Sequence, residues 1–146
     1  MKLIITLVFT LFIGYASAQV NHTDKTTADL TVTIKNINKF EGVIVVGVYN
    51  SEDAWLQIGK EYRGAKVEIT ATTVTYIFKD LPFGTYAISI FHDKNSDDEC
   101  NRNWIGIPTE GYCFSNNYKP LIGAPKFSEA EFKFSSQMSI FLNMIY

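Results

Sequence analysis

Leu30-Thr31-Val32-Thr33-Ile34-Lys35 and, after a turn closed by Gly42, Val43-Ile44-Val45-Val46-Gly47-Val48-Tyr49 decide the fold class. In the first stretch Leu30, Val32 and Ile34 alternate with polar residues, the period-two signature of a strand with one buried face. In the second, apolar residues occupy both faces, as expected of a strand in the middle of a sheet. Working outward, residues 66–69 and 74–78 read as the next two strands, joined as a hairpin. Asp80-Leu81-Pro82-Phe83-Gly84 reads as a tight turn, with Pro fixing φ and Gly free to take a positive one. Residues 86–92, 127–134 and 138–146 continue the strand pattern. Ser51-Glu52-Asp53-Ala54-Trp55-Leu56 interrupts it, and Ser51 is suited to cap one short helix there, with Trp55 and Leu56 pinning it to the rim of the core. About seven strands, one short helix and no β-α-β alternation predict an all-β, antiparallel β-sandwich.

The first residues carry a targeting pattern. Lys2 is followed by an almost unbroken apolar run, Leu3 to Ile13, and then by Ala16-Ser17-Ala18, a small-x-small cleavage site. The run is too short for a comfortable membrane span, and nothing later approaches one. The expected organisation is a signal peptide at 1–18, a polar, flexible lead at 19–28 and a single β-sandwich domain at 29–146. Cleavage near Ala18 would place the mature chain in the periplasm or outside the cell, with no membrane span left. The chain has 13 basic and 15 acidic residues, so it lacks the basic footprint that nucleic-acid binding requires.

An exported chain with two cysteines favours a bridge, so Cys100 and Cys113 are expected to form a disulfide. Both lie in a long loop, about Asp93 to Lys126, that carries most of the unusual chemistry. Asp93, Asn95 and Asp97 stand at alternate positions, where oxygen ligands converge on a hard cation when the chain curls, and Glu99 and Asn101 could add to the set. Against a calcium site, the sixth position holds Asp98 in place of glycine, and the twelfth holds Trp104 in place of a bidentate glutamate. The alternative is a turn in which Asp and Asn accept from their own backbone. His92, Asp93, Glu110 and Ser115 are the candidate hydrolytic groups. However, His92 and Asp93 point to opposite faces of a strand and no nucleophile-elbow motif is present, so His92 is expected to be a hydrogen-bonded strand-end histidine. Trp104, Tyr112, Phe114 and Tyr118 cluster in the same loop, either as a binding surface or, as favoured here, as its own small core. Ser115 and Asn116 are expected to cap turns.

Leu81-Pro82-Phe83-Gly84-Thr85-Tyr86 resembles the turn and strand of prealbumin-like and carboxypeptidase-regulatory-like sandwiches. A more specific set is His92-Asp93-Lys94-Asn95, Gly106-Ile107-Pro108-x-Glu110-Gly111-Tyr112-x-Phe114-Ser115-Asn116 and Ala124-Pro125-x-Phe127-x-x-Ala130-x-Phe132. Together these resemble the bacterial domain-of-unknown-function family 2141, from about Leu30 onwards. The resemblance implies a small exported domain with a prealbumin-like or carboxypeptidase-regulatory-like sandwich, and it implies no reaction; the expected architecture is prealbumin-like or immunoglobulin-like. Ser96 and Asp98 stand where that family tends to have glycine, and Cys113 where it often has glycine.

The expectation from the sequence is therefore a non-catalytic binding or structural accessory domain of the cell envelope. Its partner would be an envelope protein or a small ligand. His92, Trp104, Glu110, Tyr112, Phe114, Ser115 and Asn116 would form the binding loop, with no cofactor unless calcium orders that loop.

Overall fold

The computed structural model describes residues 25–146; the signal peptide expected at 1–18 and most of the expected lead lie outside them. Eight strands form two sheets: β1 (Thr27–Lys35), β2 (Val43–Tyr49), β3 (Arg63–Glu68), β4 (Val74–Pro82), β5 (Gly84–Asp93), β6 (Tyr112–Phe114), β7 (Phe132–Phe134) and β8 (Met138–Asn143). One sheet has the order β4-β1-β8 and the other β3-β2-β5-β6, with β7 also pairing to β5. The all-β class therefore holds, and β1 begins at Thr27, inside the segment expected to be a flexible lead.

The alternation in β1 aims Leu30, Val32 and Ile34 at the other sheet, where they are fully buried against Ile44, Val46 and Val48 of β2 and Ile88 and Ile90 of β5. β2 lies between β3 and β5, the central place its two apolar faces predict. Its outer residues Val45, Gly47 and Tyr49 pair with Phe91, Ser89 and Ala87 of β5, so a second apolar surface lies on the far side of the sheet from the core.

Four expectations about the fold are corrected. β3 and β4 do not form a hairpin; β3 pairs with β2 and β4 with β1, so the connection crosses from one sheet to the other. The sandwich is not wholly antiparallel, because β8 runs parallel to β1. Residues 52–56 form successive turns, with Ser51 Oγ accepting from the Ala54 N–H. The short α-helix, α1, is instead Phe127–Ala130, where a strand was expected, because Glu129 accepts from the Lys126 N–H and starts a turn there. The long loop is also divided in two, 94–111 and 118–126, by β6 and a 3₁₀ turn at Ser115–Asn117. Among the described residues, no helix is long and apolar enough to cross a membrane.

Candidate functional site

Everything unusual in the chain gathers at one end of the five-stranded sheet and on its outer face. β5 delivers His92 and Asp93 to that end, both fully buried. His92 Nε2–H donates to the Glu41 carbonyl at 2.8 Å, which leaves Nδ1 to accept the Tyr146 hydroxyl at 2.9 Å. The turn that carries Glu41 approaches so closely that a Cβ on Gly42 would lie 2.0 Å from the Asp93 carbonyl oxygen, and Gly42 also has φ +70. Only glycine fits there.

The carboxylates of the 94–111 loop face its backbone. Asp93 Oδ1 and Oδ2 accept from the N–H groups of Asp97 (3.1 Å) and Asp98 (3.0 Å). Buried Glu110 reaches back to accept from Lys94 (2.8 Å) and Asn101 (3.0 Å). Asp97 accepts from the Glu99 N–H and from the side-chain amides of Asn95 and Asn101. Hydrogen bonds from Asn101, the Glu99 backbone and Asn95 hold the Asp97 carboxyl below its usual range. Facing a carboxylate, both asparagines present N–H and not oxygen. Asp93, Asp97 and Glu110 thus form a carboxylate frame that accepts from the loop's N–H groups, with Asn95, Glu99 and Asn101 as donors to Asp97, and among the described residues no cluster of three or more His, Cys, Asp or Glu is placed to hold a metal ion. Ser96 (φ 59) and Asp98 (φ 66) both adopt left-handed conformations, the backbone need that glycine would ordinarily meet.

The disulfide expectation is overturned: Cys100 and Cys113 are both free. Cys113 pairs with Ile90 on the inner face of β6 and donates its S–H to Met144 Sδ at 3.5 Å, inside the core. Cys100 is half-buried and lies on the outer surface. Burial pushes the Cys113 thiol up to about 12 and raises Cys100 as well, so neither is a ready thiolate.

Ser115 is fully buried and structural. β6 and β7 pair with different parts of the same edge of β5, Ser89–Phe91 and Gly84–Tyr86. In the gap, Ser115 Oγ accepts the Ile88 N–H at 2.9 Å and donates to the Ala130 carbonyl. Asn116 donates to the Glu131 carbonyl, while Asn117 donates to the Phe141 carbonyl and accepts from the Asn143 N–H. Among the candidate hydrolytic groups, His92 and Ser115 therefore share no partner, and the side chains of His92, Asp93, Glu110 and Ser115 are all engaged by the fold.

The aromatic residues of the loop separate. Phe114 is buried with Tyr49, Ala87, Phe127 and Ala130, and Trp55, Tyr112 and Tyr118 pack against them as a second small core on the outer face of the sheet. Trp104, expected to be buried with them, is instead exposed at the tip of a hairpin-like turn held by Asn103 Oδ1, which accepts from Ile105 and Ile107.

Beside the small core, the same sheet face is open. A groove of about 1090 Å³ has Val45, Gly47, Ser89 and Phe91 in its floor and the 100–108 and 120–124 segments among its walls. A Cβ on Gly47 would lie 2.8 Å from the Tyr49 ring and 3.0 Å from Glu61 Cγ. Its absence lets the Tyr49 hydroxyl donate to Glu61 Oε1 at 3.3 Å across the sheet. Burial first, then the Glu61 charge, raise the Tyr49 phenol well above its ordinary value, so it remains a donor. Lys66 of β3 and Asp98 of the loop form an exposed ion pair of 2.6 Å beside the groove.

Residues 32–140 match the model of a family described as an uncharacterized protein conserved in bacteria, DUF2141. The chain belongs to the DUF2141 family. No curated protein and no solved structure matches it. The DUF2141 match runs from within β1 to within β8 and so takes in both sheets, the carboxylate frame and the groove. On this DUF2141 chain, the residues that sequence reasoning missed are the groove floor (Val45, Gly47, Ser89, Phe91) and the exposed apolar wall (Ile105, Ile107, Leu121, Ile122). Two signals were available: a central strand apolar on both faces, and the runs Ile105-Gly106-Ile107-Pro108 and Pro120-Leu121-Ile122-Gly123, which fit no strand or helix period.

Proposed function

We propose that this chain is an exported, non-catalytic binding domain of the bacterial cell envelope that takes an elongated apolar ligand in the groove on the outer face of its five-stranded sheet. The observation that carries this reading is the groove: about 1090 Å³, floored by Val45, Gly47 and Phe91 and walled by aliphatic side chains. Pockets for small molecules run to about 300–1,000 Å³ and combine a mostly apolar lining with a few polar groups that orient the ligand. Here those groups are Ser89, Arg102 and the Tyr49–Glu61 pair. The targeting pattern at Lys2, Leu3–Ile13 and Ala16-Ser17-Ala18 supports export. The non-catalytic reading rests on the engagement of His92 and Ser115 in the fold, away from the groove lining.

The test uses residues 19–146 and the fluorescent apolar probe anilinonaphthalenesulfonate. Ser89 faces the groove, so Ser89→Phe fills its floor without entering the core. The expected result is enhanced probe fluorescence with the native sequence and a several-fold loss with Ser89→Phe, both variants melting at the same temperature. Equal enhancement by the filled variant would overturn the groove as the binding site.

A further inference from the structure

Two walls of the groove end in tips that nothing covers. In one, Trp104 is 95% exposed, with Ile105 and Ile107 beside it; in the other, Leu121 and Ile122 are 99% and 94% exposed. Scattered exposed apolar residues are ordinary on a soluble surface, but a group of them concentrated on one rim marks an interaction site. The charges around the tips are segregated. Residues 101–109 contain Arg102 and no acid, and residues 118–126 contain Lys119 and Lys126 and no acid, in a chain whose net charge is −2. The acidic residues of the groove lining are Glu61, Glu99 and Asp98, the last paired with Lys66, and none of them lies within either tip segment.

We infer that this rim docks on an anionic lipid bilayer, with Trp104, Leu121 and Ile122 entering the headgroup and upper acyl region and Arg102 and Lys119 contacting the anionic headgroups. Three physical points favour a bilayer over a protein partner. The apolar side chains stand on separate tips divided by a groove, a shape that a fluid surface accommodates and a flat protein patch does not. An indole at a tip suits the interface, where its ring is apolar and its N–H stays wet. Cations beside inserted apolar groups add attraction to anionic lipid near the surface. The inference goes beyond the ligand reading, because it concerns the rim and holds whether or not the groove is filled.

The experiment is co-sedimentation of residues 19–146 with vesicles. This segment contains the whole sandwich and lacks the apolar run Leu3–Ile13, which would bind lipid by itself. One set of vesicles contains phosphatidylglycerol and phosphatidylethanolamine, and the other phosphatidylcholine alone. The expected results are binding to the first set at low salt, about tenfold weaker binding to the second, release by added salt, and a blue shift of Trp emission on binding. Trp55 is enclosed in the small core, so the shift reports Trp104. In Trp104→Ser/Lys119→Glu, which leaves the groove lining intact, vesicle binding should fall at least about tenfold while probe fluorescence is kept. Ser89→Phe should lose the probe and keep the vesicles, so failure of either reading is distinguishable from failure of the other. No sedimentation with anionic vesicles, equal binding to phosphatidylcholine, or undiminished binding by the double variant would overturn the inference. Concentration-dependent dimerisation abolished by the same variant, without lipid binding, would assign the rim to a second copy of the chain instead.

Discussion

The outer face of the five-stranded sheet carries two tryptophans in opposite circumstances. At the covered end, the Trp55 N–H donates to the Pro125 carbonyl at 2.8 Å, and its ring packs edge-on to Tyr49 and Phe127 and tilted against Phe114. At the open end, Trp104 stands on a turn in water. Both are turn residues, and both sit above the same sheet. The chain therefore has the means to tuck an indole onto this face and does so once. Covering Trp104 would have required only a second loop like the one at Pro125. The exposure of the second rim is a property of how this surface is built, and it separates apolar groups that hold the fold from apolar groups available to something else.

The sharpest way to break this comparison is Trp55→Ala. Removing a large aromatic that touches three rings should cost about 3 kcal/mol and be read as a lower midpoint in urea. A loss below about 0.5 kcal/mol would mean that the small core does not bear on stability and that the two ends are alike. Next is the frame of the open end. Glu110→Ala leaves the N–H groups of Lys94 and Asn101 without acceptors and should cost about 2 kcal/mol, while Glu110→Gln, which keeps one acceptor oxygen, should lose less. Amide exchange should quicken at Lys94 and Asn101 and stay slow in β1. Uniform quickening would show that the loop and the sandwich open as one unit. Ser115 lies on the seam between the two ends. Ser115→Ala removes both hydrogen bonds of the hydroxyl and should cost about 1–2 kcal/mol, with local exchange rising first at Ile88.

The strands were legible because alternation is written in adjacent residues: Leu30, Val32 and Ile34 announce their own burial. The pairing was not. Nothing in 66–78 says that the chain changes sheets between β3 and β4, and the parallel contact of β8 with β1 joins opposite ends of the domain. The site follows the same rule. His92 as a hydrogen-bonded strand-end residue could be read from its type and place, whereas Ser115 and Asn116, expected to cap turns, bond instead to distant backbone, Ser115 at Ile88 and Ala130 and Asn116 at Glu131. The roles of Asp93 and Glu110 depend on which N–H groups the folded loop turns towards them. The cysteines misled because sequence proximity cannot show that Cys113 turns into the core while Cys100 lies on the outer surface. The groove was invisible because its floor is assembled from β2 and β5 and its walls from two distant loops.

A finer probe of the open end is acid. Hydrogen bonds lower the Asp97 carboxyl below its ordinary value of about 3.9, so in the folded loop it keeps its charge at a pH where the unfolded chain would be protonated. A depressed carboxyl stabilises the fold above the unfolded value, and that contribution disappears as pH falls through the folded one. Between pH about 5 and 3, the Glu99 backbone and Asn101 side-chain amide resonances should therefore lose protection while the backbone amides of the covered end, around Tyr49 and Phe127, hold. Asp97→Asn should abolish this dependence. Simultaneous loss at both ends would show that the frame has no acid response of its own.

The smallest effect is the one that completes the comparison. Trp104→Ser removes a residue of the same type as Trp55, yet with no ring against it and no partner on its N–H it should change stability by less than about 0.5 kcal/mol. Urea denaturation of the two variants side by side measures this directly. The two side chains share one chemistry and differ in burial and partners, so the contrast isolates packing as the cause. If Trp104→Ser were instead as costly as Trp55→Ala, the hairpin tip would be packed in solution, and the open rim would have to be redrawn as a covered one. If it is neutral, as the exposure of the side chain implies, the energy of the Trp104 ring is not engaged by the fold and remains available to the surface that meets this rim.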